Sequence, residues 1–270
     1  MSATAPLDSA TMNADKFYTM VKSIHWFDTI EVKGVIDTLL SPTPRDNCFV
    51  GTYYRTLGNV ETLLRLNKSK DFQAIAMLAR ALFELSVDSR LLQVMPDGWG
   101  KMLAFADVEK LRAANKVIGF KKKNPTADLD TTVYDSFVSR NAVRVTGLRS
   151  SIWPGVKKLT HWSGLNLSQR VAFVKSPFDQ VYEVDYPRLS WYAHSGLTGI
   201  LNVQAVTFIH LCAYAYHLAA LAYRESLISM IREFKISKAN EKIERQLRVA
   251  NMLPFTDSSE QVSALMESIG

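Results

Sequence analysis

Nine prolines and twelve glycines are few for a chain of 270 residues. So low a supply of turn formers argues against an all-β fold built from many tight hairpins. No stretch alternates apolar and polar residues for long enough to propose a sheet. The two cysteines, Cys48 and Cys212, lie far apart and match no metal-ligand or redox spacing, so a reducing compartment, the cytoplasm, is expected. Neither His-Glu-x-x-His nor Cys-x-x-Cys occurs, and no Gly-rich phosphate loop, Gly-x-Ser-x-Gly elbow or dinucleotide fingerprint is present. The sequence therefore supports neither a metal nor a cofactor. Residues 1–15 lack the charged-then-apolar layout of a secretory leader. Internal repeats, low-complexity blocks and linker-like shifts of composition are missing too, which makes one helical domain over residues 1–270 the simplest expectation, with loosely packed ends at 1–12 and 252–270.

What is present is ordinary globular composition, with 47% apolar and 21% charged residues. The net charge of +6 is mild and compatible with a polyanionic partner. The densest positive run, Lys121-Lys122-Lys123, reads as a solvated helix end. Residues 197–223 contain no Asp, Glu, Lys or Arg, which is long enough to span a bilayer. Asn202, Gln204, His210 and His217 interrupt that run and no second span accompanies it, so the segment reads as a long apolar central helix of a bundle.

Helical periodicity recurs along the chain. Over residues 12–40, Phe17, Met20, Val21, Ile24, Phe27 and Ile30 share one face, and the Pro-rich stretch 41–44 ends the helix. A second helix is expected over 48–66. The third, over 71–95, places Phe72, Ile75, Ala76, Ala79, Phe83 and Val87 on one side. Further helices are expected over 101–119 and 129–149, from 168 to a stop at Ser176-Pro177, from 178 with a bend at Pro187, from 197 to about 234, and over 241–251. The fold class is thus all-α, a multi-helix bundle.

Three constellations could carry chemistry. Tyr182, Tyr186, Ser190 and His194 recur every fourth residue, so neighbours in the series share a helix face as a hydrogen-bonding strip. Arg188 precedes His194 by six residues and is about 120° away on an ideal helix, so the two converge only if Pro187 starts or bends the helix. Arg80 and Glu84 form an i, i+4 pair inside an apolar helix, where the flanking Ala76, Met77, Ala79, Leu82 and Phe83 suggest burial; a buried pair implies either a structural network or a function. His161-Trp162-Ser163-Gly164 lies in an irregular segment that can present an imidazole at a pocket mouth. The bland alternative stays open for each: satisfied backbone carbonyls, a core histidine, a network that fixes helix register. His25, His210 and His217 read as packed or surface histidines.

In order and spacing, Arg80-x3-Glu84, His161-Trp-Ser-Gly164 and Tyr182-x3-Tyr186-x3-Ser190-x3-His194 resemble a family of bacterial helical proteins known only as a domain of unknown function. That resemblance covers about residues 50–225. More remotely, Arg188-x5-His194 in a helical bundle resembles the HEPN superfamily, many of whose members are metal-independent endoribonucleases acting as dimers; Leu189 stands where those nucleases place Asn, Asp or His. The resemblance implies a metal-independent endoribonuclease or toxin-type RNA-processing protein, with RNA as partner and a homodimer as assembly. His194 would then be the general acid or base, Arg188 the phosphorane-stabilising cation and Ser190 the group that orients His194. Arg80, Glu84, Tyr186 and His161 would complete the binding surface. The alternatives are a non-catalytic module that binds a small anion or nucleotide, and a structural or regulatory interaction protein.

Overall fold

The computed structural model describes residues 5–39, 42–66, 71–187, 189 and 205–236, with backbone alone for 5–12 and 205–207. The described residues are helical and connected by turns, with no strand among them. They fall into two compact units: residues 1–94 with 171–270, and residues 95–170.

In the first unit α1 (Ala5–Phe27) runs into a π-helical turn (Asp28–Val32) and a short α2 (Lys33–Asp37). The periodic face holds as far as the turn, with Met20, Val21, Ile24 and Phe27 all buried. There it breaks. The wider π turn shifts the register, so Ile30 is 52% exposed while Asp28 and Val32 are fully buried. An unbroken helix over 12–40, with Ile30 on its apolar face, is therefore corrected.

The second helix starts earlier than residue 48. Pro44 does not merely end what precedes it but opens α3 (Pro44–Arg65), its fixed φ suiting the first helical position. The cap is Thr43: its hydroxyl accepts from the Asp46 amide at 3.1 Å, and the Asp46 carboxylate accepts from the Thr43 amide at 2.8 Å. Helix α4 (Phe72–Val94) buries all six residues of its expected face. The turn that carries Arg80 and Glu84 is half-buried rather than buried, and Met77 is 57% exposed.

Beyond α7 (Leu167–Val174) and α8 (Phe178–Val184) comes α9 (Ala205–Glu233), which packs on α4 and α1 and more lightly on α3. Alanines 76 and 79 of α4 and 215, 219, 220 and 222 of α9 are buried, and such small side chains let helix axes approach closely. Helix α9 carries Arg224, Glu225, Arg232 and Glu233 toward its end, and no described helix is long and apolar enough to cross a membrane. The expected terminal helix at 241–251 and the end at 252–270 lie outside the described residues, as do residues 197–204 of the charge-free run.

The second unit is a hairpin of α5 (Gly98–Lys123) and α6 (Thr132–Ile152), followed by an irregular segment. Its core is small: Ala104 and Val108 from α5, Val145 from α6, then Trp153 and Leu159, with Phe105, Leu111, Leu148, Ile152 and Val156 packed around them. The Trp153 indole donates to the Trp162 carbonyl at 2.9 Å and ties the irregular segment to itself.

Candidate functional site

Arg80 and Glu84 lie one turn apart on α4, and Tyr186 follows α8 in the same unit. The i, i+4 spacing predicts a direct pair; instead a phenol stands between the charges. Arg80 Nη2 donates to Tyr186 Oη at 2.8 Å, and Tyr186 Oη donates to Glu84 Oε1 at 2.7 Å. The guanidinium also lies over the ring, 4.8 Å from its centroid, a cation–π contact. Tyr182 stacks on Tyr186 at 5.5 Å, and Phe83 packs on it at 5.4 Å. Burial raises the Tyr186 phenol above its ordinary pKa; the bond to Glu84 adds to this and the bond from Arg80 opposes it. Tyr186 therefore stays protonated and bridges the two charges. Arg80 Nε is buried with no hydrogen-bond partner among the described residues.

Arg188, Ser190 and His194, the residues to which the resemblance assigns catalysis, lie outside the described residues. Of the expected strip, Tyr186 meets Arg80 and Glu84, and Leu189 between Arg188 and Ser190 is fully buried. Phe83 also lines a pocket of about 210 Å³ with Phe178, Leu218 and Leu221, and Asp185 and His217 face it. Tyr214 donates to Asp185. Burial holds the His217 imidazole below its ordinary pKa, so it is neutral there; Asp185 opposes that shift.

His161 belongs to the second unit and Arg80 to the first. Both nitrogens of the half-buried His161 imidazole are engaged: Nδ1 meets the Ser163 hydroxyl at 2.8 Å, and Nε2 meets the buried Arg170 at 3.1 Å. Gly164 has φ +76°, a left-handed conformation natural to glycine, and a Cβ there would come within 2.9 Å of Trp153 Cδ1. The His-Trp-Ser-Gly motif thus encodes a turn locked onto Trp153.

The second unit carries a further feature. A groove of about 480 Å³ runs between α5, α6 and the segment 157–160. Arg112 and Lys116 line it from α5, Arg149 from α6, and Lys157 and Lys158 from the loop, with no carboxylate in the lining. Arg112 donates to the Leu159 carbonyl at 2.6 Å, and Arg149 to the Val156 and Lys157 carbonyls at 3.3 and 3.2 Å. These two arginines hold the loop in place, and Arg112 is paired with Glu109 besides. Lys116, Lys157 and Lys158 are exposed and have no carboxylate partner among the described residues. One signal in the sequence does mark this surface. Residues 95–170 contain 13 Lys and Arg against 6 Asp and Glu, while the rest of the chain has 19 against 20. All of the net positive charge therefore originates in the second unit, and an averaged +6 conceals it.

Among the described residues no group of three or more His, Cys, Asp or Glu side chains is placed to hold a metal ion. Comparisons with protein-family models, with curated proteins and with solved structures find no match to this chain.

Proposed function

We propose that the protein binds RNA through the cationic groove of its second unit. The observation that carries this reading is the lining itself: five cationic side chains and no carboxylate around one groove, three of the five being lysines in solvent. Lys116, Lys157 and Lys158, gathered without counter-charges, repel one another, and a phosphate backbone relieves that repulsion while releasing its own condensed counterions. RNA is the polyanion named because Arg188-x5-His194 resembles the motif of RNA-cleaving HEPN proteins. Metal-independent cleavage by His194, aided by Arg188 and Ser190, is the catalytic part of the same proposal. The segment 197–223, read as a central apolar helix, then serves as scaffold in a cytoplasmic, homodimeric protein.

Binding is tested by fluorescence anisotropy of a labelled RNA 20-mer over a salt series. Wild type should bind at low salt, with affinity falling steeply as salt rises. Lys157→Glu/Lys158→Glu should weaken binding by tenfold or more and lower the salt slope by about one per lost phosphate contact. Wild type that leaves the RNA free at 50 mM salt refutes the reading. Cleavage is read by incubating the bound RNA in EDTA: His194→Ala should slow it by about two to four orders of magnitude. Intact RNA in the wild-type lane removes the catalytic part and leaves a binder. A small-anion site at Arg80 is the second reading, favoured by its buried Nε without a partner; titration with inorganic phosphate tests it, and loss of binding in Arg80→Gln is the expected result.

A further inference from the structure

The cationic surface does not stop at the groove. Arg112, Lys116, Phe120 and Lys123 of α5 follow one another at intervals of four, four and three residues. At about 100° per residue the four directions fall within an arc of about 80°, so they form one stripe along the helix. The stripe is about 16 Å long at ~1.5 Å per residue, the rise of about five stacked nucleotides along one strand. Arg112 and Lys116 belong to the groove lining, which makes the stripe its extension.

Phe120 is the anomaly in this stripe. Its ring is 54% exposed, no other described aromatic ring packs against it, and cations precede and follow it on the same face. Its position is nevertheless fixed. The Phe120 carbonyl accepts from the Asn124 amide at 2.9 Å and from the Asn124 side chain at 3.0 Å, while Lys121 Nζ donates to the Ala127 carbonyl at 2.6 Å. The last turn of α5 is thus capped. A half-exposed aromatic face among cations, carried on a capped helix turn, is the arrangement by which proteins stack an unpaired base, with phosphates on the neighbouring lysines. In a duplex the base faces are already covered by their neighbours, and a deep, narrow A-form major groove closes them to side chains.

We propose that α5 is a track for single-stranded RNA, with Phe120 as the stacking platform for one unpaired base and Lys116 and Lys123 on the flanking phosphates. This rests on the groove reading above and adds a strandedness to it. The test is anisotropy with a fluorescein-labelled oligouridine 12-mer and a labelled 12-base-pair RNA duplex, at one salt concentration and then over a salt series. Wild type should bind the single strand more tightly. Phe120→Ala should weaken single-strand binding by about 5- to 150-fold, the range that corresponds to one lost base stack. It should leave both duplex binding and the single-strand salt slope unchanged, since no phosphate contact is removed. Phe120→Trp should restore single-strand binding, and circular dichroism should show all variants equally helical. Equal binding of strand and duplex, or unchanged affinity in Phe120→Ala, overturns the track and leaves the groove as an ionic site. Failure of wild type to bind either RNA overturns the groove reading and this inference together.

Discussion

In the first unit Asp28 is sealed between Tyr53 and Tyr223, and Arg80 reaches Glu84 through Tyr186; in the second, Lys116, Lys157 and Lys158 stand in solvent around a groove. Composition alone makes the first unit, with its acids, tyrosines and histidine pocket, look the richer in chemistry. Partners reverse that impression. Tyr53 Oη donates to Asp28 Oδ1 at 2.8 Å, Tyr223 donates to Oδ2, and all three side chains are almost wholly buried. A carboxylate so enclosed fixes the fold and meets no ligand. Charges consumed by neighbours are structural; charges left without counter-ions are available. The comparison yields three expectations, each of which probes one side of it.

The largest effect should come from Asp28→Ala. It strands two buried phenol hydroxyls, each worth about 1–3 kcal/mol when unsatisfied, so chemical denaturation should show a loss of about 2–6 kcal/mol. Asp28→Asn keeps the shape and an acceptor and should cost much less. The pH dependence isolates the carboxyl's own contribution, since neither variant titrates. Burial raises the Asp28 carboxyl above its ordinary 3.8, outweighing the two tyrosine bonds that lower it. The folded state therefore holds this proton more tightly than the unfolded chain does. The resulting stabilisation is complete below pH 3.8 and is lost as pH rises through the folded pKa. Asp28→Asn should remove that slope, seen as a flatter midpoint against pH from 3.8 upward. A wild-type slope retained in Asp28→Asn would show that the carboxyl is not the titrating group.

Asp28 also marks where the sequence stops being legible. Period 3.6 identifies α4 almost to the residue, because its buried face of Ile75, Ala79, Phe83 and Val87 never changes register. The same rule applied to α1 assigns Ile30 to the core and misses Asp28, since it assumes a constant number of residues per turn and the π turn violates that. The stretch 41–44 reads as a stop because proline breaks a helix, yet Pro44 is a first helical residue, capped by Thr43 and Asp46. At the site, i, i+4 spacing brings Arg80 and Glu84 together but cannot disclose a third residue more than a hundred positions away that separates them. The groove was legible only as a local charge imbalance over residues 95–170, because its loop is placed by Arg112 and Arg149 donating to carbonyls, contacts without a sequence signature.

Tyr186→Phe sharpens the contrast at intermediate scale. Removing the phenol oxygen leaves Arg80 and Glu84 without their bridge, but both are only half-buried, so water replaces part of what is lost. A loss of about 1–2 kcal/mol is expected, roughly 2–8 °C in thermal midpoint for a chain of this size. RNA affinity should stay at the wild-type level, because the groove is built without this residue. A fall in RNA affinity with the fold intact would unite the Tyr186 bridge with the binding surface and break the division of labour between the two units.

The smallest stability change should come from the second unit itself. Arg144 Nη2 and Asp107 Oδ2 are 2.9 Å apart, but the arginine is more than half exposed and the aspartate about a third exposed. Such surface pairs are worth about 0–1 kcal/mol, since water solvates both partners nearly as well when they are apart. Asp107→Asn should therefore leave the thermal midpoint almost unmoved. It does raise the positive charge of a unit that already has 13 basic residues against 6 acidic ones. If that field draws RNA in, Asp107→Asn should bind the 12-mer modestly more tightly at low salt. The gain should vanish once added salt shortens the screening length to about 3 Å near 1 M. The salt-dependent gain and the unmoved midpoint must occur together, because one reports the long-range field and the other the local pair. A change in midpoint with no change in affinity would mean that the surface charges of this unit serve its fold, as the buried Asp28 does in the first unit.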